Sequence, residues 1–165
     1  MINKIDYYCG ALISYLLSNK VSKTAPALFD GNSDSKILEF CTDNDDYKLY
    51  VKYSGKPTST SNSKVNRWNI TFTKKDIETL ENFDGSNRKV AVVLICGIPS
   101  LAKTEIAIID LKDALKCLGN DDINKQKRLT VKHNKGARNL IIYGTMLDEI
   151  NAIKVPKDFN KFFSI

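Results

Sequence analysis

The sequence predicts an α/β fold of the α+β kind: a mixed central β-sheet flanked by helices, with a β-hairpin towards the C-terminus. Three observations carry that expectation. Lys89 to Cys96, KVAVVLIC, is an uninterrupted apolar run bounded by basic residues and Gly97, the pattern of a strand covered on both faces. Ile37 to Ser54, ILEFCTDNDDYKLYVKYS, joins two strand-like arms through Asp43-Asn44-Asp45-Asp46, whose side chains tolerate a tight reversal. Between Ile2 and Lys20, apolar residues recur at Ile5, Cys9, Leu12, Ile13, Leu16 and Leu17, a three-and-four spacing that paints one stripe on a helix.

The remaining elements follow from local chemistry. Pro26 disfavours helix at its predecessor, so the polar segment Val21 to Ala25 turns into a short strand at Ala27 to Phe29. Asp30, Gly31, Asn32 and Ser33 make a turn, and Asp34 stands just ahead of the hairpin's first arm, Lys36 to Thr42. On the second arm, strand alternation puts Lys48, Tyr50, Lys52 and Ser54 on one face and Tyr47, Leu49, Val51 and Tyr53 on the other. The second set is a packing wall; the first is a candidate site. The run GKPTSTSNSKVNR has no apolar periodicity and reads as an exposed loop, either a plain connection or a flap over the Lys52 face.

Trp68 to Phe72 alternates as a strand, and Thr73 caps a helix with Asp76 in the box position and Ile77, Leu80 and Phe83 as its apolar stripe. Glu105 to Ile109 is a further strand, after which Asp110 caps a helix that ends at Gly119. Arg128 to His133 and Asn139 to Tyr143 flank the turn Asn134-Lys135-Gly136-Ala137 as the C-terminal hairpin. Ala152 to Val155 adds a short strand, and Phe159, Phe162 and Phe163 form an apolar anchor. With no internal repeat and no composition break, residues 1–165 read as a single domain.

Composition narrows the class. A chain of 165 residues that is 42% hydrophobic and 27% charged builds one core, and is neither membrane-like nor disordered. No apolar run approaches the ~18 residues of a spanning helix, and MINKIDYYCGALISYLL lacks a secretory start and cleavage site, so a cytoplasmic protein without a membrane partner is expected. Cys9, Cys41, Cys96 and Cys117 are scattered without a CxxC pair, and His133 completes no zinc spacing; buried thiols and a surface histidine are expected. A net charge of +6 suits either a lysine-rich solvated surface or contact with a phosphate backbone, and RKV, KQKR and VKHNKGAR are its basic clusters. Neither a GxSxG elbow nor a Gly-rich phosphate loop is present.

The order helix, strand, hairpin, strand and helix, buried strand, strand, with Tyr50-Val51-Lys52 on the hairpin's second arm, resembles the core of the restriction-endonuclease-like fold of the PD-(D/E)xK nuclease superfamily. The likeness spans roughly Ile5 to Leu111. In those nucleases an acid near the central hairpin and a (D/E)xK or QxK tripeptide point to one face, where carboxylates hold a divalent cation and the lysine orients the attacking water. The resemblance implies Asp34, Glu39, Tyr50 and Lys52 as candidate catalytic residues, with Asp34 as a metal ligand and Glu39, or an acid of the hairpin turn, as a less natural second. An active protein of this kind is a metal-dependent endonuclease using Mg2+ or Mn2+.

Tyr50 departs from the pattern. A neutral phenol, pKa about 10, is a poor ligand for a hard cation, and phosphodiester cleavage then loses part of its charge stabilisation. The expectation is therefore a nucleic-acid-associated protein with degenerate or weak catalysis. The alternative is a protein-interaction module, an inhibitor or immunity-type partner without enzymatic activity, that uses the sheet as scaffold.

Overall fold

The computed structural model describes residues 1–59, 62–119, 121 and 125–163. Its elements run α1 (Lys4–Ser18), β1 (Ala27–Asp30), β2 (Lys36–Cys41), β3 (Asp46–Ser54), β4 (Val65–Phe72), α2 (Lys74–Asn82), β5 (Lys89–Cys96), β6 (Glu105–Asp110), α3 (Leu111–Leu118), β7 (Lys127–Asn134), β8 (Asn139–Gly144) and β9 (Ile153–Pro156). Short 3-10 turns lie at Glu149–Asn151 and Phe159–Phe163. The fold class is mixed α/β, as expected.

One expectation is corrected: the strands form two sheets rather than one. The first has the order β1-β2-β3-β5-β6 and the second β4-β7-β8-β9. Within the first, β2 and β3 pair antiparallel, as the Asx-rich turn requires, whereas β3 and β5 pair parallel. A parallel pair needs a crossover, and β4 with α2 supplies it. β4 leaves the first sheet because Val65 to Phe72 pair with Asn134 to Lys127, a partner strand about sixty residues away that no local pattern names. The strand also begins three residues before Trp68, since Asn66 and Arg67 lie opposite His133 and Lys132.

β5 is covered on both faces, as its apolar run predicts. On one side Ala91, Val93 and Ile95 meet Ile5, Leu12 and Leu16 of α1, with Leu49 and Val51 of β3 and Phe163 of the C-terminal turn. On the other, Val92 and Leu94 pack with Trp68, Ile70 and Phe72 of β4, Leu129 and Val131 of β7, and residues of α2 and α3. Trp68 is fully buried there, and its indole N–H donates to the Gly97 carbonyl at 2.7 Å, tying the second sheet to the end of β5.

The smaller readings divide. The C-terminal hairpin forms, β7 pairing antiparallel with β8, and β9 adds the last strand. Phe163 is buried edge-on to Phe40 and Tyr47 at 5.5 and 5.0 Å between ring centroids. Cys9, Cys96 and Cys117 are buried free thiols, whereas Cys41 is only half-buried. Burial pushes the Cys9 and Cys117 thiols up to about 11, far from thiolate reactivity at neutral pH. His133 is buried rather than at the surface, because its side of β7 faces β6: Glu105 lies 3.8 Å from its Nδ1, and its Nε2 is 3.2 Å from the Ala137 carbonyl. Among the described residues no helix is long and apolar enough to cross a membrane.

Candidate functional site

Alternation along β3 sends Tyr50 and Lys52 to the face opposite Leu49 and Val51, as read from the sequence. That face is shut. The β4–α2 crossover lies over it, leaving Tyr50 fully buried and Lys52 only 1% exposed. A lone ammonium at that depth is untenable, and its partner comes from the helix that covers it.

The partner is Asp76. Thr73 and Asp76 form a reciprocal capping box at the start of α2. Asp76 precedes Leu80 by one helical turn and adjoins Ile77, so the capping carboxylate sits on the buried stripe and is 0% exposed. Its Oδ2 accepts from Lys52 Nζ at 2.7 Å, from the Thr73 amide at 2.7 Å and from the Thr73 hydroxyl at 3.0 Å. Its Oδ1 accepts from Asn32 Nδ2 at 2.9 Å and from the Tyr50 hydroxyl.

The turn before β2 completes the cluster. Asn32 Nδ2 also donates to the Tyr50 hydroxyl oxygen at 2.9 Å, and Ser35 Oγ lies 2.9 Å from that oxygen. Asp34, its side chain 51% exposed, places Oδ1 3.3 Å from Lys52 Nζ, and the Phe72 ring centroid lies 5.0 Å from the same ammonium. One cluster thus joins β3, α2 and the β1–β2 turn.

Burial pushes the Asp76 carboxyl up, but hydrogen bonds from Lys52, Tyr50 and the Thr73 amide outweigh it and hold the group below its ordinary value. Burial, reinforced by the hydrogen bond to Asp76, pushes the Tyr50 phenol well above its ordinary value. The charges are therefore one buried ammonium, one buried carboxylate, and Asp34 at the rim.

This donor set does not fit a divalent cation. A carboxylate offers about four lone-pair sites, and Asp76 receives five donors. Tyr50 is a neutral phenol. Glu39, the expected second metal ligand, is not brought to Asp34: the β2–β3 register sets it opposite Lys48, four residues or roughly 13 Å of strand from Lys52. There it meets Lys48 Nζ at 3.3 Å and Arg88 Nε at 3.6 Å. Among the described residues no group of three His, Cys, Asp or Glu side chains is placed to hold a metal.

Of the four candidates, the structure brings Asp34, Tyr50 and Lys52 together and leaves Glu39 apart. A depression of about 400 Å³ at the rim of the cluster is lined by Asn32, Ser33, Asp34, Thr73, Lys74 and Lys75. It includes no residue of the polar run after Ser54, of which residues 60 and 61 lie outside the described residues. Sequence reasoning assigned Asp76 only a capping role and Asn32 only a turn. The available signal was helical: Asp76 falls on the same stripe as Ile77 and Leu80. Compared with known proteins, the chain matches no family model, no curated protein and no solved structure.

The depressed Asp76 carboxyl has a pH signature. Its folded value lies below the ordinary 3.8, so its contribution to stability is complete above that value and is lost as pH falls through the folded one. Asp6 and Glu149 are lowered too, Glu149 from its ordinary 4.5, and act in the same acid range. Unfolding measured across that acid range is therefore expected to depend less steeply on pH in Asp76→Asn than in the parent. Equal slopes would remove Asp76 from the acid transition.

Proposed function

We propose that this chain is a nucleic-acid-associated cytoplasmic protein built on a restriction-endonuclease-like core whose catalytic position has become structural. The observation that carries the reading is Lys52. It stands where the nuclease lysine would, on the second arm of the central hairpin, yet it is buried in an ion pair with an Asp76 that has no capacity left for a metal or a water. The order α1, β1, β2, β3, β4, α2, β5 supports the scaffold in its first-sheet part, with β2–β3 a hairpin, β3 parallel to β5, and α1 and α2 on opposite faces, while β4 pairs in the second sheet. The net charge of +6 supports a polyanionic partner.

Incubation with single- and double-stranded DNA and RNA, with Mg2+ or Mn2+, is expected to give binding that weakens with salt and no cleavage. Metal-dependent cleavage lost in Lys52→Ala would overturn the degenerate assignment, and the absence of salt-dependent binding would overturn the nucleic-acid one.

One feature favours the second reading, a protein-interaction module. Among the described residues β1 is an edge strand paired only with β2, and Leu28 and Phe29 on it are exposed. An open apolar edge accepts an added strand from a partner. Co-purification of a stoichiometric protein that Phe29→Lys releases would favour that reading.

A further inference from the structure

The second sheet keeps one face in the core and turns the other outward. Its registers align the outer side chains in rows across the strands. Arg67 lies opposite Lys132, Lys132 opposite Ile141, and Ile141 opposite Lys154. The next row is Asn69, Thr130 and Tyr143, in which Thr130 is itself buried and donates to Asn69 Oδ1 at 2.8 Å, and the next is Thr71 and Arg128. α2 and α3 both pack on the inner side, so among the described residues no α-helix covers these rows, and only the 3-10 turn Glu149–Asn151 borders them.

Among the described residues one acidic side chain reaches the cationic row. Glu149, from the 3-10 turn after β8, accepts from Lys132 Nζ and lies 4.0 Å from Arg67 Nη2, with the Tyr143 hydroxyl near enough to help lower its carboxyl. An arginine, a lysine and a hydroxyl converging on one carboxylate are the donors that a phosphate group recruits. The Glu149 and Arg67 side chains are both more than two-fifths exposed, so this pairing is open to exchange. Arg128 and Lys154 have no ion-pair partner among the described residues.

We infer that this outer sheet face is a binding platform for single-stranded nucleic acid, on which Glu149 occupies a phosphate position and is displaced when a strand binds. The inference rests on the nucleic-acid reading above and assigns it a surface distinct from the Lys52 cluster. Charge complementarity selects the occupant. Single strands are preferred because the row from Arg67 to Lys154 alone spans three inter-strand spacings, about 14 Å. A flat face of that width does not enter a major groove about 12 Å wide. Tyr143, between the rows of Arg67 and Arg128, offers a ring on which an unpaired base can stack.

Fluorescence anisotropy with labelled oligothymidylate, oligouridylate and a DNA duplex tests this across a salt series, folding of each variant being checked by its melting curve. Arg128→Glu with Lys154→Glu is expected to weaken single-strand binding at least tenfold and to lower the salt slope by about 1.4, two single-strand phosphate contacts. Glu149→Gln is expected to tighten it severalfold. Lys4→Glu with Lys103→Glu, exposed lysines on other surfaces, is expected to change it little. Salt-dependent binding that the sheet-face pair leaves intact, or a duplex bound more tightly than a single strand, would overturn the platform while leaving the nucleic-acid reading standing. Failure of both the parent and Glu149→Gln to bind any oligonucleotide would overturn both.

Discussion

Lys52→Met is expected to lower the unfolding free energy by about 3–5 kcal/mol, because it leaves the Asp76 carboxylate buried without its counter-charge. Methionine retains most of the apolar stem, so the loss reports the ion pair rather than a cavity. Asp76→Leu is expected to cost a similar amount: it strands the Lys52 ammonium, takes the acceptor from the Tyr50 hydroxyl and removes half of the α2 capping box. The double variant leaves neither charge uncompensated, and its loss should fall well short of the sum. Denaturant midpoints for the four proteins form a double-mutant cycle; additive losses would mean that the two groups do not depend on each other.

The second large effect concerns the join between the sheets. Trp68→Ala is expected to cost about 3–5 kcal/mol, since it empties the centre of the core shared by β4, β5 and β7. Trp68→Phe keeps most of that apolar area but leaves the Gly97 carbonyl without its indole donor, and about 1–3 kcal/mol is expected for that alone. Amide hydrogen exchange should locate the loss in β4 and β7 ahead of β2 and β3. A cost below about 1 kcal/mol for Trp68→Ala would show that the sheets are held together elsewhere, because a filled site of that size cannot vanish cheaply.

These two positions also mark where local reasoning stopped. The alternation of Trp68, Ile70 and Phe72 identified a strand and its buried side, but the strand belongs to a second sheet because its backbone partner is β7. Pairing is a property of two segments, and nothing inside one names the other. The same holds for Glu39. Its place on β2 was legible, but the register that gives it to Lys48 and Arg88 instead of to Asp34 was not. His133 was misplaced for the same reason, since its burial depends on β6 as well as on the turn of its own hairpin.

What the sequence determined by itself was the local half of the problem. It assigned the elements and their order, the both-face burial of β5, the Thr73–Asp76 box, and the face of β3 on which each side chain lies, because these follow from periods of two and 3.6 residues and from capping chemistry. What only the tertiary structure decided was whether the Lys52 face would be an open site. The parallel pairing of β3 with β5 requires a crossover, that crossover carries α2 across the face, and the capping carboxylate of α2 lands on the lysine. Two residues, each legible alone as a candidate catalyst and a helix cap, thereby become one buried ion pair.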